Sequence, residues 1–178
     1  MIPPRVETRF QVVATPAEPL VLAGGENLPH ATLAYETYGR LNDDAANAVL
    51  LFHALSGSQH AAGSNPSVPE IGDRWTEECH PGWWDDFVGS GKAIDTDTHY
   101  VICANYLGGC YGSTGPGSLD PATGRAYGGG FPAIKVSDIV DSQLRLLDIL
   151  GITKLHAVVG ASLGGIMALN LATRHPER

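Results

Sequence analysis

A chain of 178 residues, 43% hydrophobic with a formal net charge of −8, is long enough to bury a real core and has an ordinary globular composition. The acidic balance argues against nucleic acid or an anionic membrane surface as a partner, because phosphate-rich surfaces recruit basic patches. No apolar run approaches the roughly 18 residues of a membrane-spanning helix, and the opening segment MIPPRVETRF lacks the apolar stretch of a signal peptide.

In chain order, RFQVVA and PLVLAGG read as short strands, and ATLAYETYG (31–39) as a further, antiparallel one. NAVLLFHAL (47–55) is a continuous apolar run ending in a Gly/Ser turn, the pattern of a strand buried on both faces of a parallel sheet. HYVICANYL (99–107) and LHAVVGAS (155–162) repeat it. Between them, SDIVDSQLRLLDILG reads as a helix with Ser137 as N-cap, apolar Val140, Leu144 and Leu147 at helical spacing, and Gly151 as C-terminal cap. LGGIMALNLATRHP reads as a second helix, ended by Pro176. This order predicts an α/β fold with a largely parallel sheet, in one domain spanning residues 1–178. Two Gly/Pro-rich tracts, HALSGSQHAAGSNPSVPEIG and LGGCYGSTGPGSLDPATGRAYGGGFP, are expected to be long ordered loops rather than linkers, since aromatic residues interleave them.

All three buried strands run into glycine-bearing turns: Leu55-Ser56-Gly57, Leu107-Gly108-Gly109 and Ser162-Leu163-Gly164. In parallel sheets the site lies beyond the carboxyl ends of the strands, so these turns are expected to converge. Gly160-Ala161-Ser162-Leu163-Gly164 is a weak motif alone in a chain with 22 glycines, but its setting between a buried strand and a helix is that of a nucleophile elbow. The glycines would relieve a tight turn, and Gly165 would pack the helix closely on the sheet. The alternative is a structural turn whose serine only caps the helix. As nucleophile, Ser162 would need an oxyanion hole. The Leu163 amide at the helix start and the Leu55 amide in FHALSGS are the candidates.

The other titratable groups offer little. His53 precedes the serine, against the order Ser, acid, His of this fold class, and is read as a core or turn histidine. His175 and Glu177 follow it, but about 20 Å along the helix. The chain is therefore expected to hold a nucleophile without its base and acid, and to end in the middle of a fold with an unpaired sheet edge. Cys79, Cys103 and Cys110 are odd in number without C-x-x-C spacing, so neither a disulfide framework nor a zinc site is expected, and a reducing cytoplasm is the simplest setting. Cys110 is given a structural role, Asp85 and Asp86 are helix-start or loop carboxylates, and no metal constellation is visible.

The segments HALSGSQH, GWWDDFVGSGKAIDT, VICANYLGGCYGSTGP, FPAIKVSDIVDSQLRLLDILGI and VVGASLGGIMALNLATRHP, in this order, resemble the homoserine O-acetyltransferase family of α/β-hydrolase-fold acyltransferases. Members run to about twice this length, so the resemblance implies an incomplete α/β-hydrolase fold, the N-terminal part of one domain, whose lid, triad Asp and triad His lie outside these residues. It implies Ser162 as the acyl-accepting nucleophile and Leu55 and Leu163 as oxyanion donors. Ser56, where Thr is common, keeps a hydroxyl for substrate, and Asn105 is a second substrate-binding candidate. Ala161 and Leu163 also depart from the usual Gly and Met.

The implied reaction moves an acetyl group from acetyl-CoA, as co-substrate and without a bound cofactor, to the γ-hydroxyl of L-homoserine, a step toward methionine. The resemblance further implies a homodimer for full-length members. Succinyl-CoA as donor, serine as acceptor, a simple esterase and a non-catalytic remnant stand as alternatives. The 178 residues alone are expected to be essentially inactive.

Overall fold

The apolar runs assemble into one five-stranded sheet. The computed structural model describes residues 4–178, and residues 1–3 of the MIPPRVETRF segment lie outside the described residues. Strand β1 spans Arg9–Ala14, β2 Ala31–Tyr38, β3 Ala48–Phe52, β4 Tyr100–Ala104 and β5 Ala157–Gly160. Their order across the sheet is β1–β2–β4–β3–β5. β2 runs antiparallel to β1 and β4, whereas β3 runs parallel to β4 and β5. The mixed sheet and its flanking helices are the predicted α/β layout.

Every residue of β3 is buried, as a central strand covered on both faces must be. The period-2 alternation divides it. Leu50 and Phe52 pack with Ile102, Leu144, Leu147, Met167 and Leu171 on the helical face, while Val49 and Leu51 pack with Val101, Cys103, Ala61 and Ala62 on the other. The second face is covered by the long loop after β3, which is ordered as predicted.

Helix α1 spans Val136–Ile149 and α2 Leu163–Arg174. The start of α1 corrects the expected Ser137 cap: Lys135 is the N-cap residue. The Asp138 carboxylate accepts the Lys135 amide at 2.8 Å and the Ala23 amide at 2.7 Å. One buried side chain therefore both closes the helix end and ties down a segment far away in sequence, which a serine hydroxyl at 137 does not do. The same tie fixes the PLVLAGG segment, whose strand shrinks to Leu20–Val21 in a small separate hairpin with Asn27–Leu28. The C-terminal end of α1 follows the prediction. Gly151 lies at φ +76°, its amide bonds Asp148 and that of Ile152 bonds Leu147, which is a Schellman closure. Helix α2 stops before Pro176, with His175 already out of helical geometry.

From β3 the chain crosses to one side to form β4, then to the other side to form β5. The winding reverses at the carboxyl ends of β3 and β5, where α/β sheets open a crevice. Beyond this, β5 is the edge of the sheet, and Ile166 and Leu169 of α2 are 56% and 65% exposed.

Candidate active site

Strand β5 enters its turn at Gly160, and α2 begins at Leu163. Ser162 between them has φ +56° and ψ −122°, a left-handed geometry that costs a residue with a Cβ of order 1–3 kcal/mol. Its neighbours explain how the turn closes. A Cβ on Gly160 would run into the Gly164 carbonyl, and one on Gly164 into the Phe52 carbonyl at the end of β3. Gly165 is less constrained than expected: a Cβ there would meet the Gly160 carbonyl oxygen only at 3.5 Å, an ordinary contact. The Ser162 side chain is exposed and caps nothing. The capping alternative is thereby removed, and a strained, outward-facing hydroxyl remains at the start of a helix.

Two backbone amides stand nearby in a matching state. Among the described residues neither the Leu163 nor the Leu55 N–H donates to a carbonyl. Leu163 is the first residue of α2, where the helix dipole adds positive potential. Leu55 stands on the turn after β3 with its side chain 81% exposed. Both residues line one cavity of about 310 Å³ at the strand ends, together with His53, Asn105, Gly108 and Gly109. The expected convergence of the three turns is found there. Such an arrangement can attack a carbonyl from a hydroxyl and hold the resulting oxyanion between two amides.

His53 is buried as predicted. Its Nδ1 donates to the Ala54 carbonyl at 2.7 Å, its ring stacks on Tyr106 at 3.8 Å, and the Tyr106 hydroxyl donates to the His53 carbonyl. Burial pushes the His53 pKa down to about 4, against the smaller opposing pull of the Ala54 carbonyl. The ring is therefore neutral near pH 7, with a bare lone pair at Nε2 that meets no partner among the described residues. Asn105, at the end of β4, is also buried, and its Nδ2 has no partner among the described residues. Ser56 is exposed but lines a neighbouring cavity of about 230 Å³ with Cys79, Trp83 and Tyr111, not the one shared by Leu55 and Leu163.

The remaining candidates lie elsewhere. His175 follows the last residue of α2 and faces Asp141 at 3.3 Å and Glu177 at 3.8 Å. The length of α2 separates it from Ser162. Cys110 is exposed and lines the strand-end cavity. Asp85 is a loop carboxylate. It accepts the Gly63 amide at 2.7 Å and pairs with Lys92 at 3.3 Å, and the amide bond first, then Lys92, holds its pKa below the usual value.

One cluster is not visible in the sequence. Glu36 of β2 is fully buried, with Oε1 accepting from Thr8 and Asn65 and Oε2 from Tyr38 and His60 Nδ1 at 2.7 Å. His60 Nε2 faces the His80 carbonyl at 2.9 Å. Both ring nitrogens thus face oxygen acceptors, which fixes the ring's orientation. Burial would raise the Glu36 pKa, but His60, Thr8 and Asn65 together hold it below the usual value. The residues come from four separate segments, so no local pattern announces them.

Comparison with known proteins agrees with this geometry. The sequence profile of the alpha/beta hydrolase fold matches residues 47–178, from the start of β3 onward. The chain is 52% identical over 173 residues to a homoserine O-acetyltransferase of Symbiobacterium thermophilum, covering 97% of this chain and 43% of that protein. It is 54% identical over 166 residues to a homoserine O-succinyltransferase of Stutzerimonas stutzeri, covering 93% and 41%. The crystal structure of esterase E22 superposes with a TM-score of 0.82 at 38% identity, over 96% of this chain and 45% of that one. The chain thus spans less than half the length of these relatives.

Proposed function

The chain belongs to the α/β-hydrolase fold family, and from that premise we propose that it is the nucleophile-bearing part of a homoserine O-acyltransferase. The observation that carries the reading is Ser162, strained, exposed and without a capping bond, beside two amides that donate to no carbonyl among the described residues. Ser162 Oγ attacks the thioester carbonyl of an acyl-CoA, and the Leu55 and Leu163 amides take the oxyanion, each worth about 3 kcal/mol in comparable sites. The thiolate of CoA leaves. The acyl group then passes from the serine to the γ-hydroxyl of L-homoserine, a product suited to methionine synthesis.

A base must take the Ser162 proton, yet among the described residues the hydroxyl has no histidine bonded to it. We place the base and its acid outside these 178 residues, in a domain of which they form the N-terminal part. Three observations support that placement: the open edge at β5, exposed Ile166 and Leu169, and the length of the relatives. The isolated 178-residue polypeptide is then essentially inactive. The three cysteines are free, in keeping with a cytoplasmic setting. No helix among the described residues is long and apolar enough to cross a membrane.

Acetyl-CoA is our preferred donor, with succinyl-CoA favoured instead by the likeness to the Stutzerimonas protein. The likeness to esterase E22 favours a second reading, in which water replaces homoserine. Mass spectrometry of the products made by the full-length gene product from each acyl-CoA, with and without homoserine, tests these readings. O-acetylhomoserine is the expected product. Free acetate at the same rate with or without homoserine would overturn the transferase reading in favour of the esterase.

A further inference from the structure

His53 and Asn105 are 2% and 1% exposed, yet among the described residues His53 Nε2 and Asn105 Nδ2 have no hydrogen-bond partner. Leaving such an atom buried and unpaired costs about 1–3 kcal/mol, so a fold keeps one where something else will meet it. Both residues line the cavity that Leu55 and Leu163 also line. Their places are held open by glycines. A Cβ on Gly57 would come within 2.9 Å of the His53 Cβ, and one on Gly109 within 2.9 Å of the Asn105 carboxamide.

The two groups have opposite hydrogen-bonding character. With Nδ1 committed to the Ala54 carbonyl, His53 Nε2 can only accept, whereas Asn105 Nδ2 can only donate. Among the described residues none that lines the cavity carries a formal charge, so these two polar groups set its hydrogen-bonding character. One acceptor and one donor in an apolar, uncharged cavity complement a neutral amide.

We propose that His53 and Asn105 form an amide-recognition pair for the acyl donor: His53 Nε2 accepts the N–H, and Asn105 Nδ2 donates to the carbonyl, of the pantetheine amide next to the thioester. The proposal rests on the acyl-CoA reading above. That amide is separated from the sulfur by two methylene groups, which brings it into the neighbourhood of the oxyanion amides when the thioester is attacked. The pair is a positioning device: it fixes the thioester before chemistry and takes no part in bond making.

The test compares two small thioesters in the full-length gene product: N,S-diacetylcysteamine, which carries the amide, and S-propyl thioacetate, which lacks it. The wild type should favour the first in kcat/KM by about tenfold or more, the worth of one or two net hydrogen bonds. His53→Phe, which keeps the stack on Tyr106, and Asn105→Leu should each collapse that ratio toward unity, chiefly through KM. His53→Gln, which restores an acceptor, should recover part of it. A wild type without preference overturns the pair whatever the variants do, and so do variants that slow both thioesters equally. A wild type that uses neither thioester but cleaves p-nitrophenyl acetate overturns the acyltransferase reading, and the pair with it.

Discussion

Two polar regions of this molecule are managed in opposite ways. Around Glu36 both carboxylate oxygens, both His60 nitrogens and the Tyr38 hydroxyl are engaged. At the strand ends, among the described residues, the Ser162 hydroxyl caps nothing, the Leu55 and Leu163 amides donate to no carbonyl, and His53 Nε2 and Asn105 Nδ2 are unpartnered. The first region holds a long loop onto the sheet. The second spends stability on groups that are exposed or are buried without a partner among the described residues. Perturbed polar residues alone therefore do not mark the active site here: Glu36 is as unusual as His53, but its hydrogen-bonding capacity is used up within the fold.

The largest effect that separates the regions is on rate. Ser162→Ala should lower acyl transfer by about 10⁴-fold or more, as loss of a nucleophile does elsewhere, without lowering the melting temperature. Glu36→Ala should do the reverse. It leaves Thr8, Tyr38, His60 and Asn65 without their buried acceptor, and each stranded buried group costs about 1–3 kcal/mol, read from denaturant melts. If Glu36→Ala removed turnover while the folded state kept its stability, the division of labour would be wrong.

A pH series sharpens the contrast. Between the folded His53 value of about 4 and its unfolded 6.5, the unfolded chain binds a proton that the folded chain does not. Stability should therefore fall by on the order of 3 kcal/mol as pH is lowered through that window, and His53→Phe should flatten the fall. Glu36, held below its unfolded 4.5, stabilises above that value, and its contribution is lost only as pH drops further. The smallest effect is Ser162→Gly. It trades strain of order 1–3 kcal/mol for up to 1 kcal/mol of glycine entropy, so an inactive protein more stable by about 1 kcal/mol is expected in a thermal melt.

Much of this architecture is legible along the chain. The runs at 47–55 and 99–107 contain β3 and β4, because strands covered on both faces need continuous apolar sequence. Gly151 and the glycines at 160 and 164 mark backbone that tolerates no Cβ or needs positive φ. What escapes the sequence depends on partners distant in it. Asp138 displaces Ser137 at the start of α1 because it also reaches Ala23. Glu36 meets His60 and Asn65 only after the loop folds back. The turn after β3 sends Leu55 and Ser56 toward two cavities that share Gly57 and Tyr111, a division that adjacent positions in a sequence do not show. The open state of His53 Nε2 is a property of its surroundings, which no spacing encodes.

The central claim is that Ser162 carries the acyl group. Rapid quenching of the full-length gene product with acetyl-CoA in the absence of homoserine, followed by peptide mass spectrometry, tests it directly. The account predicts one acetyl group on the peptide containing Ser162, discharged when homoserine is added. Acetylation at Cys110 or any other residue with Ser162 unmodified, in a protein that still turns over, would contradict it.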